Sequence, residues 1–169
     1  AGGYSGFADE ETYLRWTEFA AFSPIMRFHG VTPREPWAYS RYAVSVYKFY
    51  AWLRENLLKY SVHTAEEAHK TGIPMMRPLP MVFPEDKEAV YWEDEYFYGS
   101  DLLVAPVHQE GEKRRIYFPS GSWINLLDFR KMVGGNRIFQ VDVPIDKIPV
   151  YIREGACILS VMNGELQLG

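Results

Sequence analysis

The chain has 169 residues, of which 47% are hydrophobic and 24% charged, enough to bury one sizeable core or two small ones side by side. A formal net charge of −4 leaves no basic face of the kind a nucleic-acid partner needs to displace phosphate counterions. The single cysteine, Cys157, excludes an internal disulfide framework and a cysteine metal cluster, and no run is long and apolar enough to span a bilayer.

Up to about residue 72 the sequence reads as helices and loops, and beyond about residue 95 as short strands. The first helix is capped by Asp9, with Glu10 and Glu11 in a first turn where the helix dipole favours negative charge. Tyr13, Trp16, Thr17 and Ala20 recur at helical spacing, with Leu14 and Ala21 widening the stripe, so Tyr13 and Trp16 are expected to be buried. Ser23-Pro24 ends the helix, because the residue before a proline avoids the helical region. A second helical region runs from about Ser40 to Lys70, with Val46, Tyr50, Leu53, Leu57, Tyr60, Thr64 and Ala68 on one face. It is long for a globular domain, and a break is expected near Lys59-Tyr60. Gly72 and Pro74 supply its stop signals.

Between Pro74 and Pro84 the prolines exclude an ordinary central strand, leaving an irregular barrel strand or an edge strand. Leu102 to Val107 is a continuous apolar run, as in a strand buried on both faces. Arg115 to Phe118 alternates before the turn Pro119-Ser120-Gly121-Ser122, and Gly134-Gly135-Asn136 marks another turn ahead of Ile138 to Val143. Val150 to Arg153 alternates, and Asn163-Gly164 is the strongest short hairpin signal. Strands at this spacing predict a small sandwich.

The catalytic inventory is poor. Four histidines are scattered at positions 29, 63, 69 and 108, and no metalloprotease, nucleophile-elbow or phosphate-binding motif is present. His63 and Glu67, four apart, read as an exposed helix pair. Acidic groups such as Glu85/Asp86 and Glu93/Asp94/Glu95 read as solvated surface, without the apolar walls that would raise one carboxyl above its partner. Lys113-Arg114-Arg115 reads as a solvated strand edge, and Cys157 as a buried inert thiol. Arg27 and His29, two apart in the apolar stretch Phe22 to Gly30, would point to one side of an extended segment, with Trp37 and Tyr39 nearby. A core histidine and a polar pocket with aromatic walls are both open there.

Gly2-Gly3-Tyr4-Ser5-Gly6, Leu14-Arg15-Trp16, Ala21-Phe22-Ser23-Pro24 and Arg27-Phe28-His29 resemble the late barrel of glycoside hydrolase family 31. The series continues, in order, through Glu35-Pro36-Trp37, Leu57-Leu58-Lys59-Tyr60, Gly72 to Pro78, Phe83 to Asp86, Gly99 to Val107, Tyr117 to Trp123 and Ile148 to Gly155. The resemblance implies the last part of a (β/α)8 TIM barrel over residues 1–85. It implies a small antiparallel β-sandwich over residues 86–169, of which this chain holds a part. Both ends read as cut.

The resemblance further implies part of a retaining α-glycosidase cleaving terminal α-linked glucose or xylose from oligosaccharides or glycosides, with no cofactor and no metal. Retaining chemistry uses two carboxylates about 5–5.5 Å apart. In the family both are aspartates upstream of this segment, and a further sugar-binding aspartate stands just before Ala1. No catalytic residue is then expected in this chain, which alone would be inactive. Substrate-binding residues are His29, which in the family hydrogen-bonds the sugar, and Tyr4, which matches an aromatic lining residue. Arg27 is read as a supporting neighbour.

Lys59 stands where family members often have proline, and His29-Gly30 followed by Pro36-Trp37 leans towards the α-xylosidase branch. The partners implied are the sugar substrate and the remainder of the barrel, with no nucleic acid, no membrane, and room for a homo-oligomer. A lyase or transglycosidase would use the same pocket. The reading from another class is a non-catalytic carbohydrate-binding or interaction module.

Overall fold

The structure, a computed structural model, describes residues 1–129, 131–156 and 158. Cys157, the run from Leu159 to Val161 and the expected Asn163-Gly164 hairpin lie outside the described residues.

Three helices fill the first half. Asp9 caps α1 (Glu10–Ala21) by accepting the Thr12 N–H at 2.7 Å. Ser40 does the same for α2 (Arg41–Asn56), accepting from the Ala43 N–H at 3.0 Å. The long helix expected to Lys70 is two. The chain breaks at Leu57, just ahead of the expected place, and α3 runs Leu58–Thr71 to a left-handed Gly72. Val46, Tyr50 and Leu53 of α2 and Leu57 at the break are buried, whereas α3 buries Thr64 and rests Tyr60 partly against the same core.

The proline-bounded segment forms an edge strand, β1 (Met76–Pro78), followed by a single helical turn, α4 (Leu79–Val82). Its place at the edge is the one a proline can occupy without breaking a ladder. It pairs antiparallel with β2 (Tyr96–Tyr98), β2 pairs with β3 (Leu102–Val104), and the remaining strands are β4 (Lys113–Phe118), β5 (Ser122–Asn125), β6 (Lys131–Val133), β7 (Arg137–Asp142) and β8 (Val150–Arg153). The six-stranded sheet has the order β1-β2-β3-β8-β5-β6, and β4 and β7 form a separate pair.

Alternation along the strands explains the layers. Tyr98, Leu102, Val104, Val150 and Ile152 belong to one core with Tyr13, Leu14, Phe22, Val46, Tyr50 and Leu53 of the helices. The intervening Phe97, Leu103, Tyr151 and Trp123 belong to a second core with Ile116, Tyr117 and Phe118 of β4. Period-two side chains thus feed opposite faces of one sheet, so β3 and the first three residues of β8 are buried on both faces. Helices, large sheet and small sheet form three layers, with one core on each face of the large sheet.

Polar contacts lock the join. Arg15 donates to the carbonyls of Val143 at 3.1 Å, Pro144 at 3.1 Å and Lys147 at 2.9 Å. The Tyr50 hydroxyl donates to Asp146 O at 3.0 Å and accepts from the Ile148 N–H at 3.2 Å. Tyr60 donates to Tyr98 O at 2.8 Å and accepts from the Asp101 N–H at 3.1 Å.

Two expectations are corrected. Trp16 is 46% exposed, not buried with Tyr13: it sits at the margin of the apolar stripe and lies across Gly3, so its ring covers a loop instead of entering the core. Arg114 is buried, paired with Asp94 at 2.8 Å, while Lys113 and Arg115 beside it are exposed. The strand period turns only the middle residue of the basic run inward.

Candidate functional site

Residues 26–30 lie outside helix and strand with alternating burial, and one ring decides their orientation. Phe28 turns inward, 5.6 Å from the Tyr13 ring and 5.1 Å edge-on to Tyr47. Its neighbours Arg27 and His29 are therefore exposed on the other side. Tyr13 in turn stacks on Tyr39 at 4.1 Å, so Tyr39 serves the core, whereas Trp37 is 75% exposed.

Tyr4 is 63% exposed, and its ring centroid lies 5.5 Å from that of His29 at a 44° tilt. Two distant segments are joined there: the Val31 N–H donates to Tyr4 O at 2.8 Å, and the Thr32 hydroxyl to Gly6 O at 2.7 Å. Gly30 allows the approach, because a Cβ at that position would meet Tyr4 O at 2.8 Å and Gly3 O at 3.0 Å. The pair presents a ring face and an imidazole with donor and acceptor capacity, the equipment for holding a polyhydroxylated ligand.

Sequence reading missed Arg34. It is 3% exposed, and its guanidinium donates to Gly3 O at 2.9 Å, Gly6 O at 2.8 Å and Pro33 O at 3.0 Å. The available signal was the glycine-rich start itself, whose carbonyls have no ladder and require donors from elsewhere.

Sequence reading also missed two carboxyls. Burial pushes Glu18 up to about 8, against Arg15 at 3.4 Å. Burial likewise pushes Glu95 up to about 8, while it accepts the Tyr117 N–H at 3.0 Å and faces Arg114 at 3.9 Å. This corrects the reading of Glu93/Asp94/Glu95 as solvated: Glu95 caps an otherwise open edge of β4. Asp86 accepts from the Tyr117 hydroxyl at 2.6 Å, so it too has a structural partner. Glu67 pairs with Arg77 at 2.6 Å rather than serving as a partner to His63.

A cavity of about 700 Å³ lies between α1 and segments 93–96 and 106–110. Trp16, Phe19, Tyr96 and His108 line it, and Tyr4 and His29 do not. It marks the join of helix and sheet. Among the described residues no group of three or more His, Cys, Asp or Glu is placed to hold a metal ion, and no helix is long and apolar enough to cross a membrane.

Comparison with known proteins agrees with this architecture. Residues 1–64 match the model of the TIM-barrel domain of glycosyl hydrolases of family 31, and residues 72–158 match that of the family's C-terminal domain. The isomaltosyltransferase of Sporosarcina globispora is 34% identical over 99% of this chain and 17% of its own length. An alpha-xylosidase of Saccharolobus solfataricus is 34% identical over 86% of this chain and 20% of its own. Among solved structures, a GH31 alpha-xylosidase from a soil metagenome, complexed with xylose, superposes with a TM-score of 0.89 at 32% identity, covering 95% of this chain and 28% of that one. The chain spans about a fifth of the length of the curated relatives it matches.

Proposed function

The chain belongs to glycosyl hydrolase family 31, and from that footing we propose that it forms one wall of the sugar site in a retaining α-glycosidase. The enzyme removes terminal α-linked glucose or xylose from oligosaccharides or glycosides. Its nucleophile and its general acid/base, both carboxylates, are supplied from outside this chain. The observation that carries the reading is the exposed pairing of Tyr4 with His29, on loops braced by buried Arg34.

In this reading His29 hydrogen-bonds a sugar hydroxyl, and Tyr4 gives the ring an apolar face. Such a bond, tightened as the ring distorts, adds to transition-state binding without moving the reacting electrons. The buried carboxyls of this chain do not compete for the catalytic roles. Glu18 is tied to Arg15 and Glu95 to the β4 main chain, so neither is free to attack an anomeric carbon.

The test is hydrolysis of nitrophenyl α-glucoside and α-xyloside by the complete enzyme, with the first-formed sugar anomer read by NMR. Release of the α-anomer from either substrate is expected. Release of the β-anomer, or no turnover of either, overturns the proposal.

A further inference from the structure

Residues 1–6 contain no helix or strand, and Gly2, Gly3 and Gly6 all hold left-handed backbone, with φ of 81°, 79° and 74°. A segment of this kind has many conformations to lose and no ladder to fix its carbonyls. Tyr4 sits in the middle of it. Something must hold that ring against His29.

Beside the Val31 N–H that meets Tyr4 O, one side chain supplies most of the link. The Arg34 Nε donates to Gly3 O, Nη2 to Gly6 O, and Nη1 to Pro33 O and to the Thr32 hydroxyl. Two of these acceptors bracket Tyr4, and the other two follow His29. Thr32 passes the link back by donating its own hydroxyl proton to Gly6 O. The fit is close enough to forbid other side chains around it. A Cβ at Gly2 would meet Arg34 Cδ at 2.9 Å, and one at Gly30 would meet Arg34 Nε at 3.2 Å.

We infer that Arg34 is a positioning residue for substrate, fixing Tyr4 and His29 as one surface by clamping the two loops that carry them. The inference rests on the proposed sugar contact of that pair. Arg34 itself lies behind the surface, 3% exposed. The planar fork is what the role needs, since it reaches carbonyls on both loops at once. A lysine ammonium is a point donor and spans only one side.

The test uses the complete enzyme and two readouts. Both Arg34→Ala and Arg34→Lys should lower kcat/KM by about 10–100-fold, the scale at which a small misplacement of binding groups acts. Added guanidinium should restore part of the Arg34→Ala loss. In a His29→Ala background, Arg34→Ala should cost less than it does in the wild type, because the His29 share of its effect is already gone and only the Tyr4 share remains. NMR of histidine- and tyrosine-labelled enzyme should show the His29 and Tyr4 ring resonances displaced in both Arg34 variants. Unmoved resonances, or kcat/KM within about twofold of wild type in Arg34→Ala, overturn the inference; so do fully additive losses that guanidinium does not relieve, which describe a loop support without a role in binding. Should His29→Ala alone leave kcat/KM unchanged, the sugar contact fails, and the resonances still decide whether Arg34 positions the rings.

Discussion

Arg15 Nη2 donates to the carbonyl oxygen of Val143 at 3.1 Å, tying helix α1 to a loop 128 positions further along the chain. The same guanidinium meets Pro144, Lys147 and the Glu18 carboxylate. Arg15→Ala should therefore cost at least about 1.5–3 kcal/mol, the range for one hydrogen bond to a charged group, since it leaves several buried carbonyls without their donor. Urea unfolding followed by tryptophan fluorescence measures it. A loss below about 1 kcal/mol, the scale of an exposed ion pair, would mean that the clamp is idle.

Glu18 and Glu95 make a prediction about pH. Burial raises both carboxyls to about 8 in the folded chain, from an ordinary value of 4.5. Between those values the folded state holds protons that the unfolded state has released, so unfolding gives up protons and rising pH favours it. The stabilising contribution is full below about pH 4.5 and is lost as pH climbs through 8. The urea midpoint should fall from pH 5 to pH 9, and the Glu18→Gln, Glu95→Gln double variant should show a shallower fall. A midpoint that rises over that range contradicts the assignment.

Gly99 sits where the first core meets α3. Its φ of 68° suits glycine, and an alanine Cβ would collide with the Tyr60 hydroxyl and approach Thr64 Oγ1 to 2.8 Å. That hydroxyl cannot yield, since it bridges Tyr98 O and the Asp101 N–H. Gly99→Ala should lower stability by at least about 1–3 kcal/mol. Adding Tyr60→Phe should relieve part of the strain, so thermal unfolding of the double variant should show less than the summed loss. Strict additivity would place the strain elsewhere.

What the sequence made legible was local. Asp9, the acidic first turn and Ser23-Pro24 delimit α1 because capping and proline sterics act within a few residues. The continuous run at Leu102 reads correctly as a strand covered on both faces. Pairing was not legible. Pro119 to Ser122 reads as a turn, yet the strands on either side of it, β4 and β5, belong to different sheets, because a turn fixes direction and not partner. Glu95 stands in an acidic run, and the N–H that it accepts belongs to a strand residue 22 positions away. Tyr4 and His29 were reachable through the ordered motif series, whereas the role of Arg34 depends on two loops folding onto it.

Residues 1–169 alone should show no glycosidase activity. Retaining hydrolysis needs one carboxylate to attack and another to protonate the leaving oxygen, and an imidazole beside a tyrosine performs neither step. Assay of the purified chain on nitrophenyl α-glucoside and α-xyloside should give no turnover above buffer. Sustained turnover that disappears with His29→Ala would refute the view that the catalytic pair lies outside this chain.

The proposed sugar contact is tested most directly by His29→Ala in the complete enzyme, measured as kcat/KM on the preferred α-glycoside beside the thermal unfolding temperature. A hydrogen bond to a hydroxyl that tightens in the transition state is worth about 1–3 kcal/mol, or roughly 10–100-fold in rate. His29 is exposed and packs only against Tyr4 among the ring contacts described, so the unfolding temperature should stay that of the wild type while kcat/KM falls by that factor. Wild-type kcat/KM in the variant, or a loss accompanied by an equal fall in stability, would contradict the account.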